Sequence, residues 1–434
     1  MSLKAKLARL SGVASLAKTR TASSGQSDTL AARGSNDAGT MPGQVKHFPT
    51  GPIRLVSHRY EHTECYGTER LSTVPNSSGA SLGALGADPA LAACAPSKAL
   101  FIDTETTGLA GGAGTIPFLV GLSWYEGDTF HVEQALILGF GQELPMLELL
   151  RARLQAASCI VTFNGKSFDW PLLRSRFVMN RLKPPVPPHH FDLLHAVRRI
   201  VKRRLSSCRL VHLEDALLQT QRVDDIEGAE IPDAYFSFLE TQRPGLMPKV
   251  IEHNRLDLLA LPALLGWLIR RWRDPTLSSH GEDLMGFARL AERIGESGQA
   301  LKFATRASLE SSPAIRGEAH FYLAKWARQR REYDREMMHL TQVTQIDRGQ
   351  WRDRAHLRLA ITLEHSYKDP GAAYAHALKQ GAAESQRDQA RRLMRLDRRR
   401  SESRSKEPKA SCPTNSYTSS TLSHRSREPM HDSG

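Results

Sequence analysis

The feature that most constrains this sequence is a short apolar run that ends in two acidic residues. Residues 99–102 are typical of a buried strand, and Asp103 and Glu105 follow directly. Because alternate residues of a strand point to the same face, the two carboxylates should lie side by side. Two carboxylates that close repel each other unless a cation lies between them, and their hard oxygen atoms suit Mg²⁺ or Mn²⁺. A pair of merely solvated strand carboxylates is the competing interpretation.

Two further polar clusters follow later in the chain. The apolar run 159–163 predicts another strand, with Asn164 at its end and Asp169 at the start of the next helix. His253 and Asp257 lie four residues apart in a stretch with a helical pattern, so they should share one helix face. Taken singly, Asp169 is also typical of a helix first turn, where a carboxylate is stabilising. The His253 and Asp257 pair alone would also suit a solvated helix surface.

The apolar pattern predicts a mixed α/β domain around these clusters. Residues 118–125 and 129–138 flank a turn, which together with the first strand indicates a β-meander. Amphipathic or apolar helical patterns cover three segments: 144–157, 193–205 and 246–272. Strands followed by alternating helices and strands give a sheet flanked by helices.

In this order, the three polar clusters resemble the Exo I, II and III motifs of the DEDD exonuclease superfamily, which has the ribonuclease H-like fold. The sequence is closer still to the bacterial YprB-type ribonuclease H-like proteins. The resemblance covers about residues 98–272. It is carried by five segments: 101–114, 163–169, 192–195, 226–232 and 253–257.

The resemblance implies a set of catalytic residues. Asp103, Glu105, Asp169 and Asp257 take the places of the four metal-binding carboxylates, and His253 takes the place of the general base. Such a site holds two Mg²⁺ or Mn²⁺ ions and hydrolyses phosphodiester bonds by in-line displacement. One departure is visible. A base four residues before the last Asp is usually Tyr in the superfamily, so a His at this spacing could instead only orient the site.

Residues near these motifs are candidates for contact with nucleic acid. The glycine-rich segment 108–114 lacks the Lys-Ser/Thr ending of a phosphate-binding loop, so a turn that lets a strand approach closely is the favoured interpretation. Asp192 suits either a role in supporting the metal ligands or a structural role at a strand end. The predicted nucleic-acid-binding residues are Thr106, Gly108, Asn164, Lys166 and Arg174.

After residue 275 the pattern becomes wholly helical. Three similar segments begin at Gly295, Arg331 and Lys368, and each is preceded and followed by an amphipathic helix. Their spacings of 36 and 37 residues are close to the ~34-residue period of tetratricopeptide (TPR) helix pairs. The Trp and Leu-Gly signature of that family is mostly missing. An all-α, TPR-like array is therefore predicted, with an ordinary helical bundle as the alternative.

Composition completes the domain organisation. The predicted order is a mostly disordered N-terminal arm (1–97), a ribonuclease H-like domain (98–273), a TPR-like domain (281–385) and a disordered basic tail (391–434). No run of roughly 20 apolar residues is present, and the five cysteines show no C-x-x-C spacing, which favours a cytoplasmic protein without a disulfide framework. The net charge of +13 suggests a nucleic-acid partner. However, segment 98–273 has 21 Lys and Arg against 19 Asp and Glu, so the motifs are the better argument.

The sequence thus predicts a divalent-metal-dependent nuclease, most simply a 3′→5′ exonuclease on single-stranded DNA or RNA, with helices that recruit a protein partner. The alternative is a non-catalytic adaptor that binds nucleic acid and uses its TPR-like repeats as the working surface. Presence of all four carboxylates favours the enzyme, because converging unpaired acids without a cation destabilise a fold.

Overall fold

The computed structural model describes residues 40–108, 114–186, 189–346 and 349–404. The chain divides into two compact units at residue 315. The central part of the glycine-rich segment, 109–113, lies outside the described residues, as do 1–39 and the end of the predicted tail, 405–434. No helix in the described ranges is long and apolar enough to cross a membrane.

A seven-stranded mixed sheet forms the centre of the first unit, with the order β1-β2-β7-β6-β5-β8-β9. A separate short hairpin is formed by β3 and β4. The nine strands are β1 (Gln44–Phe48), β2 (Gly51–Glu61), β3 (Cys65–Tyr66), β4 (Glu69–Arg70), β5 (Ala99–Thr106), β6 (Pro117–Glu126), β7 (Thr129–Leu136), β8 (Cys159–Thr162) and β9 (His189–Asp192).

Strand β5 lies inside the sheet, between β6 and β8. It is antiparallel to β6 and parallel to β8, and β8 is parallel to β9. Strands β6 and β7 form the predicted antiparallel hairpin. Because β5, β8 and β9 are parallel, their carboxyl ends lie at the same edge of the sheet. The polar clusters that follow β5 and β8 in the sequence are thereby brought to one edge.

Helices cover the sheet. Leu100 and Ile102 of β5 belong to one buried cluster with Leu147 and Phe177, which lie on helices. The described helices of the first unit are α1 (Gly79–Gly86), α2 (Leu144–Ala156), α3 (Asp169–Met179), α4 (Leu193–Val201), α5 (Leu210–Leu213), α6 (Ile231–Thr241), α7 (Met247–Arg273), α8 (Gly281–Arg293) and α9 (Ser297–Ala307). The predicted fold class, a mixed sheet flanked by helices and followed by a helical region, is confirmed.

Helix α7 approaches the sheet at a glycine. A Cβ atom built on Gly121 of β6 would lie 2.3 Å from Asn254 Oδ1 and 2.6 Å from Leu258 Cδ1. Only a residue without a side chain leaves room for the helix at this distance. This close approach places the middle of α7, and with it the third polar cluster, against the strand that neighbours β5.

The N-terminal arm is a correction to the sequence-based expectation. Residues 40–97 are not disordered, because they supply two sheet strands, the β3–β4 hairpin and α1. The apolar side chains are few, but Ile53 and Leu82 are almost fully buried. Small residues allow the rest to pack closely: a Cβ atom on Gly79 would lie 2.3 Å from the Ala92 carbonyl oxygen. Composition alone misses this, since Gly and Ala are common in both disordered and tightly packed segments.

The second unit is helical, as predicted, and the sequence repeats correspond to helix pairs. Arg331 and Lys368 each lie in the turn between the two helices of a pair, with positive φ angles of 61° and 56°, respectively. Gly295 lies in the corresponding turn of the first unit, with a φ of 81°. The helices of this unit are α10 (Pro313–Gln329), α11 (Tyr333–Gln345), α12 (Gln350–Thr362), α13 (Pro370–Ala377) and α14 (Gln386–Arg404). Helix α10 begins just before the division.

Two expected boundaries change. Helices α8 and α9, predicted to begin the array at residue 281, belong to the first unit, where Arg204 forms an ion pair with Asp283 at 2.8 Å. Residues 391–404, predicted to be disordered, continue helix α14. Buried Glu364 contacts Arg395 of that helix at 2.8 Å, so part of the basic tail is held by an internal acid.

A pair of histidines links the two helices of each helix pair in the second unit. The Nδ1 atoms of His320 and His339 are 3.1 Å apart, and those of His356 and His376 are 2.9 Å apart. Burial, and then positive neighbours, lower the pKa of His339 and His356 to about 4. At physiological pH the two imidazoles of each pair are therefore neutral, and Nδ1–H of one donates a hydrogen bond to Nδ1 of the other.

Candidate metal-binding active site

The first two acids lie where β5 reaches the edge of the sheet. Asp103 and Glu105 are alternate residues of the strand, as predicted, and the register with β6 shifts directly after Glu105. A bulge at this point ends regular pairing and re-aims the strand end. The two carboxylates thus lie at the end of an interior strand of the sheet rather than on a solvated face.

Asn254 fixes Asp103 from the opposite side. Asp103, Gly121 and Gln134 are register partners across three neighbouring strands. Above the gap at Gly121, the buried Asn254 donates from Nδ2 to Asp103 Oδ2 at 2.7 Å. Gln134 Nε2 donates to Asn254 Oδ1 at 2.9 Å and to the Ile251 carbonyl oxygen at 2.7 Å. One carboxylate oxygen of Asp103 is therefore held in place by a fully buried amide.

Asp169 is the first residue of α3. Its Oδ1 accepts a hydrogen bond from the hydroxyl of Thr104, the residue between the two β5 acids. The turn before α3 is shaped by Asp192, which accepts from the backbone N–H groups of Asn164 at 2.9 Å and Lys166 at 3.1 Å. Asp192 also caps α4. The structural role of Asp192 is thus the one that its contacts support, and it positions the segment that carries Asp169.

His253 and Asp257 lie on one face of α7, as the sequence spacing predicts. Their Nε2 and Oδ2 atoms are 3.7 Å apart. Ligand atoms of Glu105, His253 and Asp257 all lie within 4.8 Å of one another. The first and third polar clusters of the sequence therefore form one group in space.

The acids repel one another at this distance. Burial, and then the charge of Asp257, raise the pKa of Asp103 well above its usual range. Burial raises the pKa of Glu105 to about 8, and the charges of Asp257 and Asp169 contribute. Burial also raises the pKa of Asp169 to about 6, although the hydrogen bond from Thr104 opposes the change. All four predicted ligands are therefore close enough to act on one another electrostatically.

A loop before α6 brings a cation to the acids. Arg222, whose side chain is 2% exposed, contacts Asp257 and donates to Glu214 at 2.6 and 2.7 Å. It also donates to Asp225 Oδ2 at 3.2 Å. Glu214, fully buried, accepts in addition from the Tyr66 hydroxyl at 3.3 Å. The acidic group thus extends to six carboxylates, of which Glu214, Asp225 and Asp257 contact the buried guanidinium.

Asp225 orients His253. His253 Nδ1 lies 2.8 Å from Asp225 Oδ1, and because an ionised carboxylate can only accept, Nδ1 carries the proton there. Nε2 is left facing Asp257. Burial lowers the pKa of His253, but the hydrogen bond to Asp225 and the charge of Asp257 outweigh it and raise the pKa to about 9. At neutral pH, His253 is therefore the positively charged imidazolium, with a proton on both ring nitrogens.

The residues predicted to contact nucleic acid surround this group unevenly. Thr106 donates to the Gly108 carbonyl oxygen at 2.9 Å and so shapes the start of the glycine-rich segment. Asn164 has a φ of 65° at the end of β8. Lys166 and Arg174 are exposed on either side of the start of α3. None of these contacts tests whether the five residues bind nucleic acid, so their role stays a prediction.

Sequence reasoning missed the residues that support the site. Glu214, Arg222 and Asp225 look like ordinary surface charges in the sequence, and Asn254 was passed over between its motif neighbours. A usable signal existed: Arg222 and Asp225 directly precede the segment 226–232 that carries part of the family resemblance. Charged loop residues shortly before a motif are therefore also candidates for the site.

The donor set suits a hard divalent cation. The carboxylate oxygen atoms of Glu105 and Asp257 are of the kind that Mg²⁺ and Mn²⁺ prefer, and a nitrogen of His253 lies within 4.8 Å of them. Burial, and then the neighbouring carboxylates, raise the pKa of Glu105 and Asp169, so a cation bound beside these acids would favour their ionised forms. The residues therefore fit the group that the fold implies.

Comparison with known proteins agrees with this geometry. The RNase_H_2 model, which describes the RNase_H superfamily, matches residues 100–269. Residues 100–269 are a ribonuclease H superfamily domain. This finding confirms the resemblance that the sequence motifs indicate, and the match includes all five residues of the predicted catalytic set.

This chain is also similar to a curated protein, the uncharacterized protein YprB of Bacillus subtilis (strain 168). It is 36% identical over 213 residues, which are 48% of this chain and 50% of the relative. The chain thus spans about half the length of the curated relative that it matches. The likeness supports the ribonuclease H domain and its branch, whereas the activity of the whole protein is a matter for proposal.

Proposed function

We propose that this protein is a divalent-metal-dependent nuclease of the DEDD type, which removes nucleotides from the 3′ end of single-stranded DNA or RNA. The observation that carries the proposal is the convergence of Glu105, His253 and Asp257 within 4.8 Å, beside Asp103 and Asp169. The ribonuclease H superfamily fold supports nuclease chemistry, but a fold hosts several functions, so the site has to carry the argument.

The proposed ligands are Asp103, Glu105, Asp169 and Asp257, and two Mg²⁺ or Mn²⁺ ions are the proposed cofactors. When bound, such ions stabilise negative charge on the attacking and leaving oxygen atoms of a phosphodiester displacement. Asn254 and Thr104 each hold one oxygen of a ligand, Asp103 and Asp169 respectively, and so leave the other oxygen to the site. The chain thus prepares the direction of these two carboxylates in advance.

His253 is the proposed proton carrier. Asp225 accepts from Nδ1, which leaves Nε2 as the atom that exchanges a proton within the site. A histidine with a pKa of about 9 accepts a proton poorly at neutral pH, because its Nε2 atom is already protonated. Positive charge arriving at the acids would lower this pKa, since it cancels the attraction of Asp257 and Glu105 for the imidazolium. His253 becomes a base only in the cation-loaded site.

A single strand would approach across the start of α3. Lys166 and Arg174 are exposed there, and Phe168, directly before Asp169, is 53% exposed. Basic side chains contact phosphates, and an exposed aromatic ring stacks on a base without sequence preference. This combination favours a single-stranded substrate over a duplex.

The test is cleavage by the purified full-length protein. Strands of DNA and RNA labelled at the 3′ or the 5′ end are incubated with Mn²⁺ or Mg²⁺, and with EDTA. We expect stepwise shortening from the 3′ end that EDTA abolishes. The Asp103→Ala variant should lose activity by roughly a thousandfold, because an ion contributes several kcal/mol to the transition state.

Asp128→Ala is the matched control. Its carboxylate is 86% exposed at the β6–β7 turn, away from the carboxyl end of β5, so cleavage should be unchanged. Uncut strands under every condition would contradict the nuclease proposal and favour the alternative, a nucleic-acid-binding adaptor whose TPR-like helices recruit a protein. Equal cutting by Asp103→Ala would contradict the site assignment.

A further inference from the structure

Arg222 combines deep burial with an unusual number of acidic contacts. Its guanidinium reaches Glu214, Asp225 and Asp257, which belong to three different elements of the first unit. The side chain is 2% exposed and that of Glu214 is fully buried. A buried ion pair is costly unless its hydrogen bonds are well satisfied, so this much burial needs a reason beyond surface pairing.

The charge on Arg222 is permanent. A guanidinium stays protonated under all conditions in which proteins fold, whereas His253 beside it gains and loses a proton. The acids of the site therefore always have one fixed positive neighbour. Without it, converging carboxylates would have to take up protons or separate.

Arg222 borders the donor set without filling it. It contacts Oδ1 of Asp257, while Oδ2 of the same residue faces His253 Nε2 at 3.7 Å. The other close contacts of the guanidinium are with Glu214 and Asp225, which lie outside the predicted ligand set, and with Nδ1 of His253 at 3.3 Å. The space between Glu105, His253 and Asp257 is thus left to another cation, which would be repelled by Arg222 across Asp257.

We propose that Arg222 is a resident counter-ion that keeps the acidic site folded before a divalent cation binds, and that it does so at the expense of affinity for that cation. The metal-binding half of this statement rests on the proposed function. Arg222 acts through Asp257, so it is a positioning residue and not a catalytic one.

The decisive measurement is Mn²⁺ binding to the full-length protein by calorimetry, for the wild type and Arg222→Gln. Removal of a fixed positive charge a few ångströms away should make Mn²⁺ bind about tenfold more tightly. A residue that only buttressed the loop would give the opposite sign, since its loss would disorder the ligands. Weaker or unchanged Mn²⁺ binding in Arg222→Gln would overturn the proposal.

Arg255→Gln is the matched control. Arg255 lies on α7 beside the site residues and its side chain is only 3% exposed, but its carboxylate partner is Glu252, and it donates to the Tyr60 hydroxyl. In EDTA, Arg222→Gln should lower Tm by roughly 8 °C, because it leaves the buried Glu214 unpaired. Arg255→Gln should lower Tm by less, because its partner Glu252 is 37% exposed. Compared with the wild type at the same Mn²⁺ concentration, part of the Tm deficit of Arg222→Gln should be restored and that of Arg255→Gln should persist, because Mn²⁺ stabilises the wild type and Arg255→Gln equally. Equal restoration in both variants would contradict the inference.

Two further variants separate failure of this inference from failure of the proposed function. Arg222→Lys keeps the charge but not the planar fork, so it should bind Mn²⁺ like the wild type even if Tm falls, and it serves if Arg222→Gln does not fold. If the wild type binds no Mn²⁺ at all, the proposed function fails. The counter-ion is then tested in EDTA alone: Asp257→Asn should recover part of the Tm lost in Arg222→Gln, and additive losses would contradict it.

Discussion

The two units of the chain solve the same electrostatic problem in opposite ways. In the first, acids that repel one another are kept close, and a fixed cation, Arg222, compensates part of their charge. In the second, histidines that would repel one another are kept neutral, and one hydrogen bond joins each pair. The first arrangement leaves a demand for positive charge, whereas the second leaves none. This difference agrees with the proposal that the chemistry belongs to the first unit.

The largest effect should follow from disturbing the support of the charged site. Asp225→Asn removes the charge that holds His253, so the cleavage rate should fall by about 10- to 100-fold with little change in KM. The pKa of His253 should fall towards its ordinary value, which would shift the rise of the pH–rate profile to lower pH. Kinetics from pH 6 to 10 measure both effects.

Asp224→Asn provides the control for that variant. Asp224 is the neighbouring acid, but it is 76% exposed and pairs with Lys249 rather than with His253. Its loss should leave the rate and the pH profile unchanged. An identical fall in both variants would show that the loop matters only as a loop.

The second prediction concerns response to a divalent cation. Mn²⁺ at 100 times its Kd should stabilise the first unit by about 2.7 kcal/mol, because it binds the folded site alone. Mn²⁺ should not stabilise the second unit, since each histidine of its pairs is already hydrogen-bonded to another neutral histidine. Hydrogen exchange of the full-length protein, followed peptide by peptide with and without Mn²⁺, tests this contrast. Equal protection of α11 and α12 would remove it.

The third prediction is that the two units lose stability in opposite pH directions when no divalent cation is present. Folding raises the pKa of Glu105 to about 8 and that of His253 to about 9, so their contribution is full at low pH and is lost as pH rises through these values. Folding lowers the pKa of His339 and His356 to about 4, so the second unit loses stability as pH falls from about 6.5 to 4.

Hydrogen exchange at pH 5, 7 and 9 in EDTA, corrected for intrinsic rates, measures these two trends. The charges around the histidine pairs strengthen this expectation, because Arg316, Arg335, Arg352 and Lys379 oppose protonation, whereas Asp353 favours it. A parallel fall of both units on acidification would contradict the comparison.

The smallest effect should come from replacing one histidine pair by apolar residues. Counting back 36 residues from His320 and His339 reaches Leu284 and Phe303, both buried in the first unit. The double variant His320→Leu/His339→Phe should therefore fold at neutral pH and lose part of the acid sensitivity of the second unit. Thermal melting at pH 5 and 7.5 compares it with the wild type. Unchanged acid sensitivity would mean that the pair does not cause it.

Periodicity and motif order were enough to predict the sheet around Asp103 and the shared helix face of His253 and Asp257 on α7, because strand alternation and helix spacing act locally. The spacing of the repeats was also visible, including its change from 36 to 37, which corresponds to a π-helical turn at Leu363–Tyr367 that holds one extra residue. The TPR family itself stays a prediction.

Long-range partners could not be predicted in the same way. Arg222 is 35 residues from Asp257, and Asn254 reaches Asp103 across 151 residues. Nothing in the local pattern of either residue indicates its partner. The same holds for β2, whose pairing with β7 is determined by the tertiary fold and not by its own composition.

The strands before residue 98 carry a practical consequence. The matched ribonuclease H region begins at residue 100 and includes β7. Strand β2 lies before that region, yet it pairs with β7 through eight residue pairs. A protein trimmed to residues 100–269 would present the backbone of β7 as a bare edge, which invites association between copies. The smallest soluble, independently folding version of this domain should therefore start near residue 40, about sixty residues before the family boundary.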